Sequence, residues 1–128
     1  MSVRIVRLGS PRLAGEGLRI GTVRRPPRGV RREDYARRDY YDVWLPLLAP
    51  SAADVRRALD AETVAEWRRF ARSYRKAMAQ PEARHVLATL AALSHQADFS
   101  VGCYCADERH CHRSLLREIL REHGARLA

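Results

Sequence analysis

The chain has 128 residues, of which 24 are Lys or Arg and 15 Asp or Glu, for a formal charge of +9, and 46% are hydrophobic. Such a length supports a single domain over residues 1–128, and such an apolar content excludes an intrinsically disordered chain. No apolar run reaches the roughly 18 to 20 residues of a membrane helix, and Met1 to Arg7 lacks the apolar stretch of a secretory signal, so the expectation is a cytoplasmic protein with no membrane partner.

The basic charge is uneven. Lys76 is the only lysine, so the choice of arginine over lysine says little about function. Position says more: residues 1–38 hold eleven arginines against Glu16, Glu33 and Asp34, a balance of +8, while the rest of the chain nets +1. A localised positive field concentrates anionic partners such as phosphate esters, nucleotides or nucleic acid.

In chain order, Val3, Ile5, Val6 and Leu8 among arginines predict a first short strand, stopped at Gly9-Ser10-Pro11. Leu18 to Val23 predicts a second, closed by Pro26-Pro27, whose fixed φ and missing N–H groups end pairing. Asp42 to Leu48 is apolar but interrupted by Pro46, and reads as a buried loop or short helix. Ser51 with Asp54 resembles a capping box, followed by an inner face of Val55, Ala58 and Leu59. From Glu62 to Gln80, Val64, Trp67, Ala71, Tyr74 and Met78 make an amphipathic stripe, with Arg68, Arg69, Arg72, Arg75 and Lys76 opposite. Pro81 opens a third helix to about Ser94, with Val86, Leu87, Leu90 and Leu93 inside. His85 and His95 on or near it read as surface or capping groups. Phe99 to Tyr104 predicts a third strand, and a helix from Cys111 or His112 runs to His123, stopped by Gly124. The expected fold is α/β: a small single domain with a short, mostly parallel sheet of three or more strands, packed by helices and ending in strand, loop and helix.

All three cysteines and two of the five histidines fall within ten positions, Cys103 to His112. Ligands gather beyond the carboxyl ends of strands in α/β folds, and a helix N-terminus favours an anion or thiolate. Cys111 at such a terminus, beside His112, Arg113 and Arg109, is a candidate nucleophile with His112 as acid or base, and Cys105 is delivered nearby. Three readings stand open: catalysis by Cys111, His112 and Cys105; a zinc site of Cys103, Cys105, Cys111 and His112; or cysteines that simply pack the interior. Against zinc, Cys103 and Cys105 point to opposite sides of a continuing strand. The C-x5-R spacing from Cys103 to Arg109 also fits a phosphatase loop, although Asp107 and Glu108 would repel an anion there. A second candidate is the turn after strand two, where Arg24, Arg25 and Arg28 sit on a stiffened Pro26-Pro27 loop and Gly29 permits close backbone approach. If strands two and three are adjacent and parallel, this loop meets the cysteine loop, and Arg113 joins the same anion site.

Cys105-Ala106-Asp107 with Cys111-His112-Arg113 resembles the late motif of the domain-of-unknown-function 488 family. Thr22-Val23-Arg24-Arg25-Pro26-Pro27 resembles its early turn, and Pro27-Arg28-Gly29-Val30 its short YeaO-like branch. Trp44-Leu45, Ala49-Pro50-Ser51, and Trp67, Phe70 and Tyr74 are similar to that branch, so the resemblance covers about residues 18–122. It implies a small single-domain α/β fold with shared polar residues in these two loops, and so favours catalysis or ligand binding. Thr22 stands where the family often has aspartate, which removes a carboxylate from the early motif. The reading that results is a domain binding a small phosphorylated or nucleotide-like anion. Its alternatives are a nucleic-acid-binding accessory domain using the basic N-terminal region, and a structural zinc protein.

Overall fold

The computed structural model describes all 128 residues. Four strands, β1 (Val3–Arg7), β2 (Leu18–Gly21), β3 (Val43–Trp44) and β4 (Phe99–Cys103), form one sheet in the order β1-β4-β2-β3. Every pairing is parallel. Four helices follow: α1 (Ala52–Asp60), α2 (Val64–Met78), α3 (Pro81–Leu93) and α4 (His112–Glu122). None is long and apolar enough to cross a membrane. The α/β class and the strand–loop–helix ending are as the sequence predicts.

β4 is central, flanked by β1 and β2, and all five of its residues are buried. Its FSVGC sequence suits that place, since a strand covered on both faces needs small or apolar residues throughout, and the one polar side chain, Ser100, donates to Glu16. Gly102 answers a specific demand: a Cβ there would lie 2.6 Å from the Val6 carbonyl oxygen. The main core joins Val3, Ile20, Phe99 and Val101 of the sheet to Phe70, Tyr74, Leu87, Leu116 and Leu120 of the helices. Ser51 caps α1 and Thr63 caps α2, each side chain accepting an N–H three residues on. A second, smaller cluster of Leu8, Val23, Tyr41, Cys103 and Cys111 lies just beyond the carboxyl ends of the strands.

Three local readings need correction. Residues 42–48 hold a two-residue strand paired with β2 before the 3-10 turn Pro46–Leu48, and only Leu48 of Val43, Trp44, Leu47 and Leu48 is buried. In α2 the buried face is Phe70, Tyr74 and Met78, whereas Val64 is exposed, because the first turn of the helix extends past the core. Leu59 and Leu93 are likewise exposed at the ends of their helices, while Asp54 is buried and bonds Arg57 and Ser73.

Candidate functional site

Parallel pairing of β2 with β4 sends the segments that leave them off the same edge of the sheet. Thr22 joins them: its N–H and its hydroxyl donate to the Gly102 carbonyl at 3.0 and 2.9 Å. The Tyr104 hydroxyl donates to the Arg25 carbonyl at 2.8 Å, and the Trp44 indole to the Val23 carbonyl at 2.6 Å. The arginine turn and the cysteine loop therefore do meet, as adjacent parallel strands require.

β4 ends at Cys103, and this undoes the alternation argued against a shared cysteine site. The chain turns after Cys103, so Cys105 folds back and its sulfur lies 3.8 Å from that of Cys103. Cys111 occupies the N-cap position of α4 without making a side-chain cap bond. Its sulfur lies 3.7 Å from His112 Nδ1. His112 Nε2 lies 2.9 Å from the Thr22 carbonyl and 3.4 Å from its hydroxyl. A carbonyl only accepts, so Nε2 carries the ring proton and Nδ1 turns its lone pair toward Cys111. Tyr74 packs edge-on against the imidazole with ring centroids 5.5 Å apart. One ligand atom each of Cys103, Cys111 and His112 lie within 4.8 Å of one another, and all three residues are buried.

All three cysteines are free thiols. Hydrogen bonds from Cys103 and Cys111, reinforced by the charge of Arg113, draw the Cys105 thiol well below its ordinary range. The same contact with Cys105 raises Cys103, which keeps its proton and donates it. Cys111 is lowered, first by Cys103 and then by His112, against the opposing effects of Cys105 and of burial. Arg113 is 3% exposed; one of its nitrogens donates to the Cys105 carbonyl, and its Nε has no partner. A buried guanidinium favours negative charge close by, and the charge of Arg113 helps to lower both the Cys105 thiol and the Glu108 carboxyl.

The cluster lines a cavity of about 440 Å³. Its walls are mostly apolar, including Val23, Pro50, Val55 and Phe70, and Cys103, Cys105, Cys111, His112, Arg24 and Arg25 also line it. Arg28, Gly29 and Arg113 are not part of this lining: Arg28 and Gly29 are exposed further along the turn, and Arg113 supports the cysteine loop from behind. The C-x5-R spacing forms no anion-wrapping loop, because Glu108–His110 makes a 3-10 turn and Arg109 points to solvent beside Asp107. Glu108 is held by two hydrogen bonds from Arg117. His95 binds the Gly124 carbonyl beyond α4 at 2.8 Å, and His85 is exposed. Sequence reasoning missed the α1 wall, His110 at the cavity and Thr22 as the partner of His112. Only His110 carried a local signal, its place in the cysteine-rich window.

A parallel α/β domain with a thiol and imidazole cluster beyond the carboxyl ends of its strands is thus the class that fold and site define. Residues 3–124 match the family model DUF488-N3a, described as the active DUF488-N3 subclade, and the chain belongs to this family. The match begins well before residue 18 and takes in β1. Comparison with curated proteins and with solved structures finds no match.

Proposed function

We propose that this domain binds a phosphorylated or nucleotide-like ligand in the cavity and acts on it through Cys105, Cys111 and His112. The observation that carries the reading is convergence: Cys105, Cys111, His112, Arg24 and Arg25 all line one largely apolar cavity, with the His112 Nδ1 against the Cys111 sulfur. Apolar walls suit a base or similar flat moiety, and Arg24 and Arg25 suit the anionic end. Arg28 and Gly29, on the same turn, extend the anion-attracting surface outward. Arg113 serves the anion site indirectly, by fixing the cysteine loop. The family's description as an active subclade supports a catalytic role over a packing one.

In this reading Cys105, the most exposed of the three cysteines, attacks the ester phosphorus. A sulfur–phosphorus bond forms, the bond to the leaving oxygen breaks, and that oxygen takes its proton from the Cys111–His112 pair. Water then displaces sulfur from phosphorus, its hydroxyl staying on phosphorus and its proton returning to the Cys111–His112 pair, which restores the Cys105 thiolate. No cofactor is needed, and a zinc ion on the same sulfurs would compete with the step. The test is calorimetric titration with a nucleoside monophosphate, together with release assays on aryl phosphates. Arg24→Ala and Arg25→Ala should each weaken binding about tenfold, the loss of roughly one charge-assisted hydrogen bond. Cys105→Ser should abolish turnover and leave binding intact. Absence of saturable binding, or arginine variants that bind like the parent, would overturn the reading.

A further inference from the structure

The same side chains present a donor set that nucleophilic chemistry does not require: Cys103, Cys111 and His112 gathered within 4.8 Å, with the Cys105 sulfur beside that of Cys103. Four ligands around zinc, with Zn–S of about 2.3 Å and Zn–N of about 2.0 Å, place sulfurs about 3.8 Å apart and sulfur and nitrogen about 3.6 Å apart. Cys103 and Cys105 sulfurs are 3.8 Å apart, and Cys111 sulfur and His112 Nδ1 are 3.7 Å apart. Cys103, Cys111 and His112 each offer one ligand atom within 4.8 Å of the others, so the donors stand close to ligating separation.

The imidazole is also set up correctly. The Thr22 carbonyl accepts a hydrogen bond from His112 Nε2–H, and such an outer hydrogen bond is what fixes the tautomer and ring orientation of a metal-ligating histidine. Arg113, buried behind the loop, offsets the negative charge that three thiolates bring with a divalent ion. All four donors border the cavity, which provides the entry path.

We infer that Cys103, Cys105, Cys111 and His112 Nδ1 form a site for one thiophilic divalent cation, with zinc the best fit to sulfur-rich tetrahedral ligation. Each ligating thiol releases its proton to solvent as its sulfur–metal bond forms. Insofar as the catalytic reading above holds, the metal regulates it: a bound ion occupies the sulfur lone pair that the attack on phosphorus uses, so the loaded domain is silent and the metal-free domain competent.

The experiment is titration of the reduced, metal-free chain with Co²⁺ as a spectroscopic probe, followed by displacement with Zn²⁺. One equivalent of cobalt should give tetrahedral visible bands with thiolate charge transfer, and zinc should bleach both. Zinc should also protect all three thiols of the parent chain from alkylation, a readout that needs no variant. Cys103→Ser, Cys111→Ser and His112→Gln should each lower cobalt affinity by about tenfold or more, in line with loss of a ligand or its support. Octahedral cobalt spectra, or thiols alkylated equally with and without zinc, would overturn the metal site. Nucleotide titration of the metal-free chain tests the catalytic reading separately, so either can fail alone.

Discussion

Arg19 has no solvent exposure, yet it belongs to the arginine-rich third that gives the chain its charge asymmetry. Its Nε and Nη2 donate to the two carboxylate oxygens of Glu16, both at 2.9 Å. Its Nη1 donates to the Ser10 and Asp39 carbonyls at 2.8 and 2.7 Å. One side chain thereby ties β2 to the loops on either side of it. Removing a single partner strands a charge in the interior, which costs about 3–5 kcal/mol, whereas apolar replacement of both is often nearly neutral. Glu16→Leu and Arg19→Met should each destabilise by that amount in urea unfolding, and the double variant should recover much of the loss. Single variants within about 1 kcal/mol of the parent would show that the pair contributes little to the fold. None of this was legible in the sequence, where Arg19 counts as one more positive charge on a strand. The cysteines are the opposite case: their density pointed straight to the site, and only their relative direction was misread. Period-two alternation holds while a strand continues, and β4 stops at Cys103.

Elements were legible where one physical signal dominated. Pro81 at the first turn of α3 and Gly124 in the left-handed region after α4 (φ 89°) each fixed a boundary, and the largely apolar β4 fixed a burial state. β3 was not legible, because two residues before a proline carry no periodicity and the strand exists only through its pairing with β2. The buried face of α2 was read partly wrong for a related reason: a helical stripe gives an angle, and the neighbours decide where along the axis burial begins. β4 also couples fold to site through Gly102, whose carbonyl accepts both hydrogen bonds from Thr22, the residue that in turn orients His112. An alanine there pushes its methyl first against the Val6 carbonyl oxygen, which cannot swing aside, and then against the Leu8 and Val6 side chains at 2.8 and 2.9 Å. Gly102→Ala should cost about 1–3 kcal/mol, the range for overpacking a closed interior. Because relief requires β4 to move from β1, the Cys111–His112 contact should loosen as well. Unfolding midpoints, with histidine ring NMR shifts as the local probe, would show both effects; a parent-like midpoint would mean that the strands separate at no cost.

At the scale of the whole molecule, the +8 of residues 1–38 is not a uniform surface field. Arg12 is committed to Asp39 and Asp42, Arg19 to Glu16, and Arg31 and Arg37 to Glu33 and Asp34. Arg24 and Arg25 form no ion pair and stand at the cavity. On α2, Arg75 is taken up by Glu118 and Glu122, while Arg68, Arg69 and Arg72 remain exposed. Two anion surfaces therefore compete, one a cavity edge with two arginines and the other a dispersed helix face able to follow a polyanion. Salt separates them. A polyanion neutralised at six or more phosphates loses about 10³-fold or more in affinity between about 50 and 200 mM salt through counterion release. A nucleoside monophosphate held by two guanidiniums and apolar walls releases no condensed counterions and should weaken by less than about tenfold over that range. The cavity assignment thus predicts a shallow response, abolished by Arg24→Ala with Arg25→Ala and indifferent to Arg68→Ala with Arg72→Ala. A steep response for single-stranded oligonucleotides that follows the α2 arginines instead would move the functional surface to the helix face and leave the cysteine cluster outside it.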